Sequence, residues 1–348
     1  MKSRDRRHLL PQGGLVRIRL TPMPRLRQRV LPPPEPSPMI VVFGSLNIDL
    51  VARVPVLPRA GETVLGPDYV AVAGGKGANQ ALAARRAGAE VAMVGAVGRD
   101  GFADVALASL VAAGIDTSRI ARVEAPTGAA FIAVDAEGRN QIVVAAGANA
   151  HARATQLDGL AAGPGDTLML QCEVPEPEIR AAARWGRDRG LRVMLNRAPA
   201  GPLPPDLMAL LDLLVVNEHE ALALGEAPED PARLADRLSE RHRLAVAVTL
   251  GAEGAMLWAD GICHEAPAVP VEVVDTTAAG DTFCGALAAA LDRRRGYETA
   301  VEFACAAGSL ACESLGAQPS IPHRAAIEAA AAALADLRNP EKYRRTSP

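Results

Sequence analysis

From residue 39 onward, short apolar runs alternate with longer Ala- and Leu-rich stretches almost to the end of the chain. That alternation restricts the possible folds more than any other feature. Residues 39–43, 91–95, 167–171, 191–195, 213–216, 244–249 and 255–258 are apolar runs of the kind that form buried strands. Between them, 76–87, 102–113, 176–189 and 231–241 read as helices, the second stopped by Gly114. Three Ala-rich helices follow, near 280–294, 297–314 and 322–337. Strand–helix alternation of this length predicts an α/β fold, a mostly parallel sheet with helices on both faces. Two segments break the pattern. Residues 50–73 are rich in Val, Pro and Gly, and 128–134 with 140–146 alternate around Glu137-Gly138. Both read as hairpins that form a small separate sheet.

Composition narrows the function. The whole chain carries a net charge of −3 and only ten aromatic residues, which disfavours a nucleic-acid binder. No apolar run is long enough to span a bilayer. The cysteines Cys172, Cys263, Cys284, Cys305 and Cys312 form no CxxC pair and no even framework. The expectation is a reducing, cytoplasmic location. Charge is uneven. Residues 1–38 hold nine basic residues, two acids and eight prolines, a net of +7, which leaves −10 for the remainder. This stretch reads as a disordered extension, with Met39 as the natural start, and 339–348 as a tail.

The densest chemistry lies in Asp275-Thr276-Thr277-Ala278-Ala279-Gly280-Asp281-Thr282. An apolar strand is expected to end at Asp275, and small residues then turn the chain into an Ala-rich helix. The N–H groups of Ala278, Ala279 and Gly280 would form an anion site at that helix N-terminus. Asp281, one turn in, could take a proton from an attacking hydroxyl or merely complement the helix dipole. Gly74-Gly75-Lys76-Gly77-Ala78-Asn79-Gln80 is a Gly-rich approach to a helix without P-loop spacing, and serves as a ligand loop or as a tight turn. Asn79 in its first turn could also cap the helix. Asn47 and Asp49 project to one side of a strand and suit the adjacent hydroxyls of a polyol, unless they only make a turn. Glu173 follows a strand at the end where open α/β sheets bind ligands. Asn217 and Glu220 share a helix face and could organise a hydrated magnesium ion or simply cap that helix.

Together these motifs resemble the ribokinase family of sugar and nucleoside kinases over about 39–334. The resemblance rests on Gly44-Ser45-Leu46-Asn47-Ile48-Asp49, Pro58–Thr63, Gly74–Ala81, Asp275–Thr282 and Gly316–Ser320. It implies an α/β/α sandwich with a β-sheet lid at roughly 49–73 and 127–147, and a homodimer formed through the lid. It also implies ATP-dependent phosphorylation of D-ribose at the 5-hydroxyl, or of a related pentose or nucleoside. Asn47, Asp49, Gly75, Lys76, Asn79 and Glu173 would line the sugar site. Asp281 would be the general base, and Ala278, Ala279 and Gly280 the anion hole. Asn217, Thr249, Leu250, Gly251, Gly280 and Cys305 would meet the nucleotide, with Asn217 and Glu220 associated with magnesium. Potassium would sit among Asp275, Thr277, Ala311, Ser314, Gly316 and Ser320. Cys305 is a departure, since relatives often carry His or Asn there. A sugar-binding regulator on this fold would have lost the base or the anion hole, and both are intact here.

Overall fold

A computed structural model of the chain describes residues 38–224 and 230–338. The expected arm, apart from its last residue, and the expected tail lie outside the described residues. Nine strands form the main sheet. They are β1 (Met39–Phe43), β4 (Glu90–Gly98), β5 (Asp116–Val123), β8 (Thr167–Leu170), β9 (Arg192–Asn196), β10 (Leu213–Asn217), β11 (Ala245–Thr249), β12 (Ala255–Ala259) and β13 (Ile262–Ala266). The order is β13-β12-β11-β10-β9-β8-β1-β4-β5, parallel from β11 to β5, with β12 and β13 antiparallel at the edge. A second sheet of four strands has the order β3-β2-β6-β7. It comprises β2 (Asn47–Arg53), β3 (Tyr69–Gly74), β6 (Gly128–Val134) and β7 (Asn140–Ala145). Both expected hairpins are present, joined by parallel pairing of β2 with β6.

The main sheet is covered on both faces, which is why its strands read as continuous apolar runs. Ile40 and Val42 of β1 face one helical layer, and Val41 and Phe43 face the other, following the two-residue period of a strand. One layer contains α1 (Lys76–Arg86), α2 (Gly101–Ala112), α7 (Ala279–Asp292), α8 (Tyr297–Ala311), the short α9 (Ala317–Ser320) and α10 (Arg324–Arg338). The other contains α3 (Glu176–Asp188), α4 (Pro205–Met208), α5 (Glu218–Leu222) and α6 (Pro231–His242).

Three local features differ from the sequence reading. Strand β5 follows Gly114 directly, where no strand was expected. Strand β13 pairs with β12 across Asp260-Gly261, both at positive φ, an Asp-Gly hairpin turn whose signal was readable. The segment before Asp275 is not a strand. Val273 and Val274 are exposed, and the Val274 N–H donates to the Cys312 carbonyl instead of a ladder partner. None of the described helices is long and apolar enough to cross a membrane.

Chain order runs outward from β1 to β4 and β5 on one side, and from β8 to β11 on the other. The carboxyl ends of β1 and β8 therefore flank the switch point, where a crevice opens. The helix pair that closes this crevice, α1 and α7, packs through small residues. A Cβ on Gly285 of α7 would lie 2.5 Å from the Gln80 carbonyl and 2.6 Å from the Ala83 Cβ of α1. Gly285→Ala is therefore expected to destabilise the fold by about 1–3 kcal/mol through overpacking. Chemical denaturation measures this, and an unchanged midpoint would contradict the packing argument.

Candidate active site

Three cavities run in series across the crevice. The first, about 480 Å³, is bordered by Thr249, Gly251, Ala279, Gly280, Phe283 and Cys305. The second, about 220 Å³, is bordered by Lys76, Asn217, Glu220, Ala278, Gly280 and Asp281. The third, about 670 Å³, takes Asn47, Asp49, Gly75, Lys76, Asn79, Glu173 and Asp281. Thr249, Thr276 and Gly280 border the first two, while Lys76, Ala278 and Asp281 border the second and third. The head of α7 is thus the shared wall of a continuous path.

Backbone shape dictates that wall. Ala278, the residue before α7, has a left-handed φ of 61° and starts the helix without a side-chain cap. The N-terminus consequently opens to the cavity rather than to a capping hydroxyl. Ala279 differs from the expectation of a free amide, because its N–H donates to the Thr276 carbonyl at 3.2 Å. Ala278 and Gly280 border the middle cavity.

Asp281 is buried, 7% exposed, and each carboxylate oxygen accepts a side-chain hydrogen bond. Asn79 Nδ2 donates to Oδ2 and Gln80 Nε2 to Oδ1, both at 3.0 Å. Asn79 does not cap its own helix, since no side chain caps α1. Asn79 borders the third cavity, and its Oδ1 is buried without a partner.

The start of α1 rests on the turn after β1. Gly75 has φ 91°, and a Cβ there would come within 2.7 Å of the Asn47 nitrogen, so only glycine permits the approach. Ser45, fully buried, donates from Oγ to Glu173 Oε2 at 2.6 Å and accepts the Gly77 N–H. The Lys76 N–H also donates to Glu173 Oε2. Glu173 is thereby fixed beside Lys76 at the end of β8. Asn149, after β7, donates to Asn47 Oδ1 at 2.6 Å and is buried in the cleft wall. Sequence reasoning missed Asn149. It also missed Ala130, Ile132, Ile142 and Val144 of the small sheet, which give the cleft an apolar side. Their even spacing on β6 and β7 was the available signal.

Several carboxylates surround one ammonium. The Asp281 carboxylate, with Glu173 and Glu220, holds Lys76 above its ordinary pKa against the effect of burial. Burial, with Glu173 and Asp281 nearby, pushes the Asp49 carboxyl up to about 6. Burial also raises Glu220, opposed by the Asn217 N–H and Lys76.

Asn217 and Glu220 form a reciprocal capping box. Glu220 N–H donates to Asn217 Oδ1 at 2.7 Å, and Asn217 N–H to Glu220 Oε2 at 2.9 Å. The capping box is therefore what the two residues do locally, and Glu220 is also buried against the middle cavity. Of the nucleotide-side candidates, Thr249, Gly251, Gly280 and Cys305 border the first cavity, and Asn217 borders the second. Leu250 borders neither, and packs against the sheet core instead.

Asp275 joins two loops. Its Oδ1 accepts from Thr277 N–H and Oγ1, and its Oδ2 accepts from the Gly316 N–H at 2.9 Å. Burial raises its carboxyl, but these hydrogen bonds outweigh it and hold the group below its ordinary range. The structure therefore brings Asp275, Thr277 and Gly316 together. Ala311 is buried at the end of α8, Ser314 is exposed, and Ser320 Oγ donates to the Ala317 carbonyl. Cys312 lies beside the same loops.

A model of the pfkB family of carbohydrate kinases matches residues 37–324. A ribokinase of Haemophilus influenzae is 37% identical over 292 residues, 82% of this chain and 95% of that protein. A ribokinase of Bacillus subtilis is 39% identical over 292 residues, 83% of this chain and 98% of that protein. Among solved structures, a ribokinase from Thermotoga maritima superimposes with a TM-score of 0.77 at 34% identity, covering 87% of this chain and 99% of its own. An Arabidopsis thaliana ribokinase complexed with ribose and ATP gives 0.76 at 29% identity, covering 85% and 98%. The chain belongs to the pfkB family of carbohydrate kinases.

Proposed function

We propose that this protein transfers the γ-phosphoryl group of ATP to the 5-hydroxyl of D-ribose, giving D-ribose 5-phosphate and ADP. The observation that carries the reading is the position of Asp281, on the wall shared by a carboxylate- and amide-lined cleft and a cavity at a helix N-terminus. Similar chains named ribokinase, one of them complexed with ribose and ATP, support the choice of sugar.

In this reading Asn47, Asp49, Gly75, Lys76, Asn79 and Glu173 hold the sugar. Asp281 accepts the 5-hydroxyl proton as that oxygen bonds to phosphorus and the bond to the ADP oxygen breaks. Ala278 and Gly280, with Ala279 between them, place the positive end of α7 against the transferred group. Lys76 adds positive charge on the sugar side. Thr249, Gly251 and Cys305 border the nucleotide cavity. Asn217 and Glu220 would hold magnesium, which neutralises phosphate charge when bound. The Asp275, Thr277 and Gly316 loops, with Ala311, Ser314 and Ser320, would hold potassium, which stiffens the approach to α7 when bound. The small sheet acts as a lid, and its outward apolar residues Tyr69, Phe131 and Val143 fit a second copy of the chain. The same reading places the protein in the cytoplasm with its ATP.

Purified protein assayed with ATP against ribose, deoxyribose and nucleosides tests the proposal, and turnover of a nucleoside in preference to ribose would overturn it. Asp281→Asn should lower kcat by about 10²–10⁴-fold, the usual loss of a general base. Asp49→Asn removes a charge-assisted hydrogen bond worth roughly 1.5–3 kcal/mol and should act mainly on the KM for ribose. The reverse pattern would move the base to the lid side of the sugar.

The pH dependence has a definite sign. With its carboxyl at about 6, Asp49 becomes protonated as pH falls through that value and loses acceptor capacity. The kcat/KM for ribose should therefore drop below about pH 6, and Asp49→Asn should lack that limb. A limb that survives the substitution would belong to another group.

Turnover in potassium should exceed turnover in sodium, and Asp275→Ala should abolish the difference. Equal rates after removal of trace potassium would refute a monovalent-cation site in these loops.

A further inference from the structure

Asp281 is tied to the sheet as well as to the cleft. Gln80 on α1 is fully buried and does not border the three cavities. Its Nε2 donates to Asp281 Oδ1 and to Asn196 Oδ1, both at 3.0 Å, and its Oε1 accepts from Gln171 Nε2 at 2.7 Å. Asn196 closes β9 and donates its own amide to the Val215 carbonyl of β10, which turns its oxygen toward Gln80. Gln171, also fully buried, follows β8.

This chain of bonds leaves Gln80 one orientation. A carboxylate only accepts, so the amide end facing Asp281 must be the nitrogen. Flipping the amide would set its oxygen against two acceptor oxygens, Asp281 Oδ1 and Asn196 Oδ1. The last torsion of an aspartate is intrinsically broad, so the carboxylate plane is fixed by its donors rather than by its rotamer. Asn79 holds the other oxygen, but Asn79 also borders the cleft, and its buried Oδ1 has no partner, so a bound ligand can compete for its amide.

We propose that Gln80, anchored by Asn196 and Gln171, is a positioning residue for phosphoryl transfer. It fixes the Asp281 carboxylate in the plane from which that group receives the sugar proton. The inference rests on the reading of Asp281 as the base. Asn79 couples the carboxylate to the bound sugar, and Gln80 couples it to the β8–β9–β10 region of the sheet.

The test is a double-mutant cycle with ATP, magnesium and whichever sugar of the panel is turned over fastest. Gln80→Met keeps the length of the side chain and removes its polar end. It should lower kcat by about 10–100-fold, the scale of a misplaced catalytic group, with the KM for ATP within about twofold of the unsubstituted protein. In an Asp281→Asn background the same substitution should change the residual rate by less than about threefold, because it acts through Asp281. Gln171→Met removes only the anchor and should give a smaller loss that also vanishes in that background. It carries the test if Gln80→Met does not fold, as judged by circular dichroism. A folded Gln80→Met protein with kcat within about threefold of the unsubstituted one, or an equal loss in both backgrounds, overturns the inference. If Asp281→Asn itself retains turnover, the base assignment fails and the inference falls with it. If Asp281→Asn collapses while folded Gln80→Met does not, the positioning role alone is wrong.

Discussion

The close approach of α1 to α7 sets the distances around Asp281. Gly285 brings the two backbones near enough for Asn79 and Gln80 to reach Asp281 directly at 3.0 Å. A hydrogen bond of that length has little slack, since a shift of about half an ångström takes it outside useful range. The start of α1 is fixed by the same device. A Cβ on Gly77 would meet the Ser45 nitrogen at 2.6 Å, so α1 sits directly on the turn after β1. Small residues at Gly75, Gly77 and Gly285 therefore convert a helix–helix and a helix–turn contact into the geometry of a site. The buried alanines of α7 continue this packing toward α1 and α8.

Charge is divided across the head of α7. On one side Asp49, Glu173 and Asp281 stand around Lys76, and burial, with the neighbouring carboxylates adding to it, raises Asp49 to about 6. A polyol suits that side, because its hydroxyls donate to carboxylates without adding charge. On the other side stand Ala278 and Gly280, which contribute no side-chain charge, only the positive end of a helix. A phosphate chain suits that side for the same reason that it would be repelled from the first. Glu220 at the boundary is the exception, a buried carboxylate raised by desolvation, and it makes chemical sense beside a cation travelling with phosphate.

The parallel core was legible because strands such as β1, β8 and β10 are buried on both faces and read as unbroken apolar runs. Strand β5 was not, since Asp116, Ser118, Arg119 and Arg122 lie along an edge that faces partly to solvent. The segment before Asp275 misled in the opposite direction. Val273 and Val274 look like strand residues, yet no ladder is available where the chain leaves the sheet to reach α7. Residues with a local motif around them, such as Asp281, Asn79 and Asp49, could be found from the sequence. Asn149, Asn196 and Gln171 could not, because each matters through a partner distant in sequence, at separations such as 102 residues for Asn149 and Asn47 or 116 for Gln80 and Asn196. Leu250 shows the converse, a motif residue whose side chain turns into the core.

The small sheet has two apolar faces, and among the described residues the outer one is largely exposed. Along β6 and β7, Ala130, Ile132, Ile142 and Val144 face the cleft, while Phe131 and Val143 pair with each other on the opposite face. Phe131 is 50% exposed and Val143 66%. An amphipathic strand would have placed polar residues at those alternate positions. The cleft face fits the proposed sugar pocket, to which Ala130, Ile132, Ile142 and Val144 contribute. The outer face is left unexplained unless another surface covers it, and a second copy of the same sheet is the cover that the proposed dimer supplies. Covering it would also restrain the strands that carry the cleft wall, because Phe131 lies between Ala130 and Ile132 on one backbone. Burial outside and shape inside are then two consequences of a single four-stranded element.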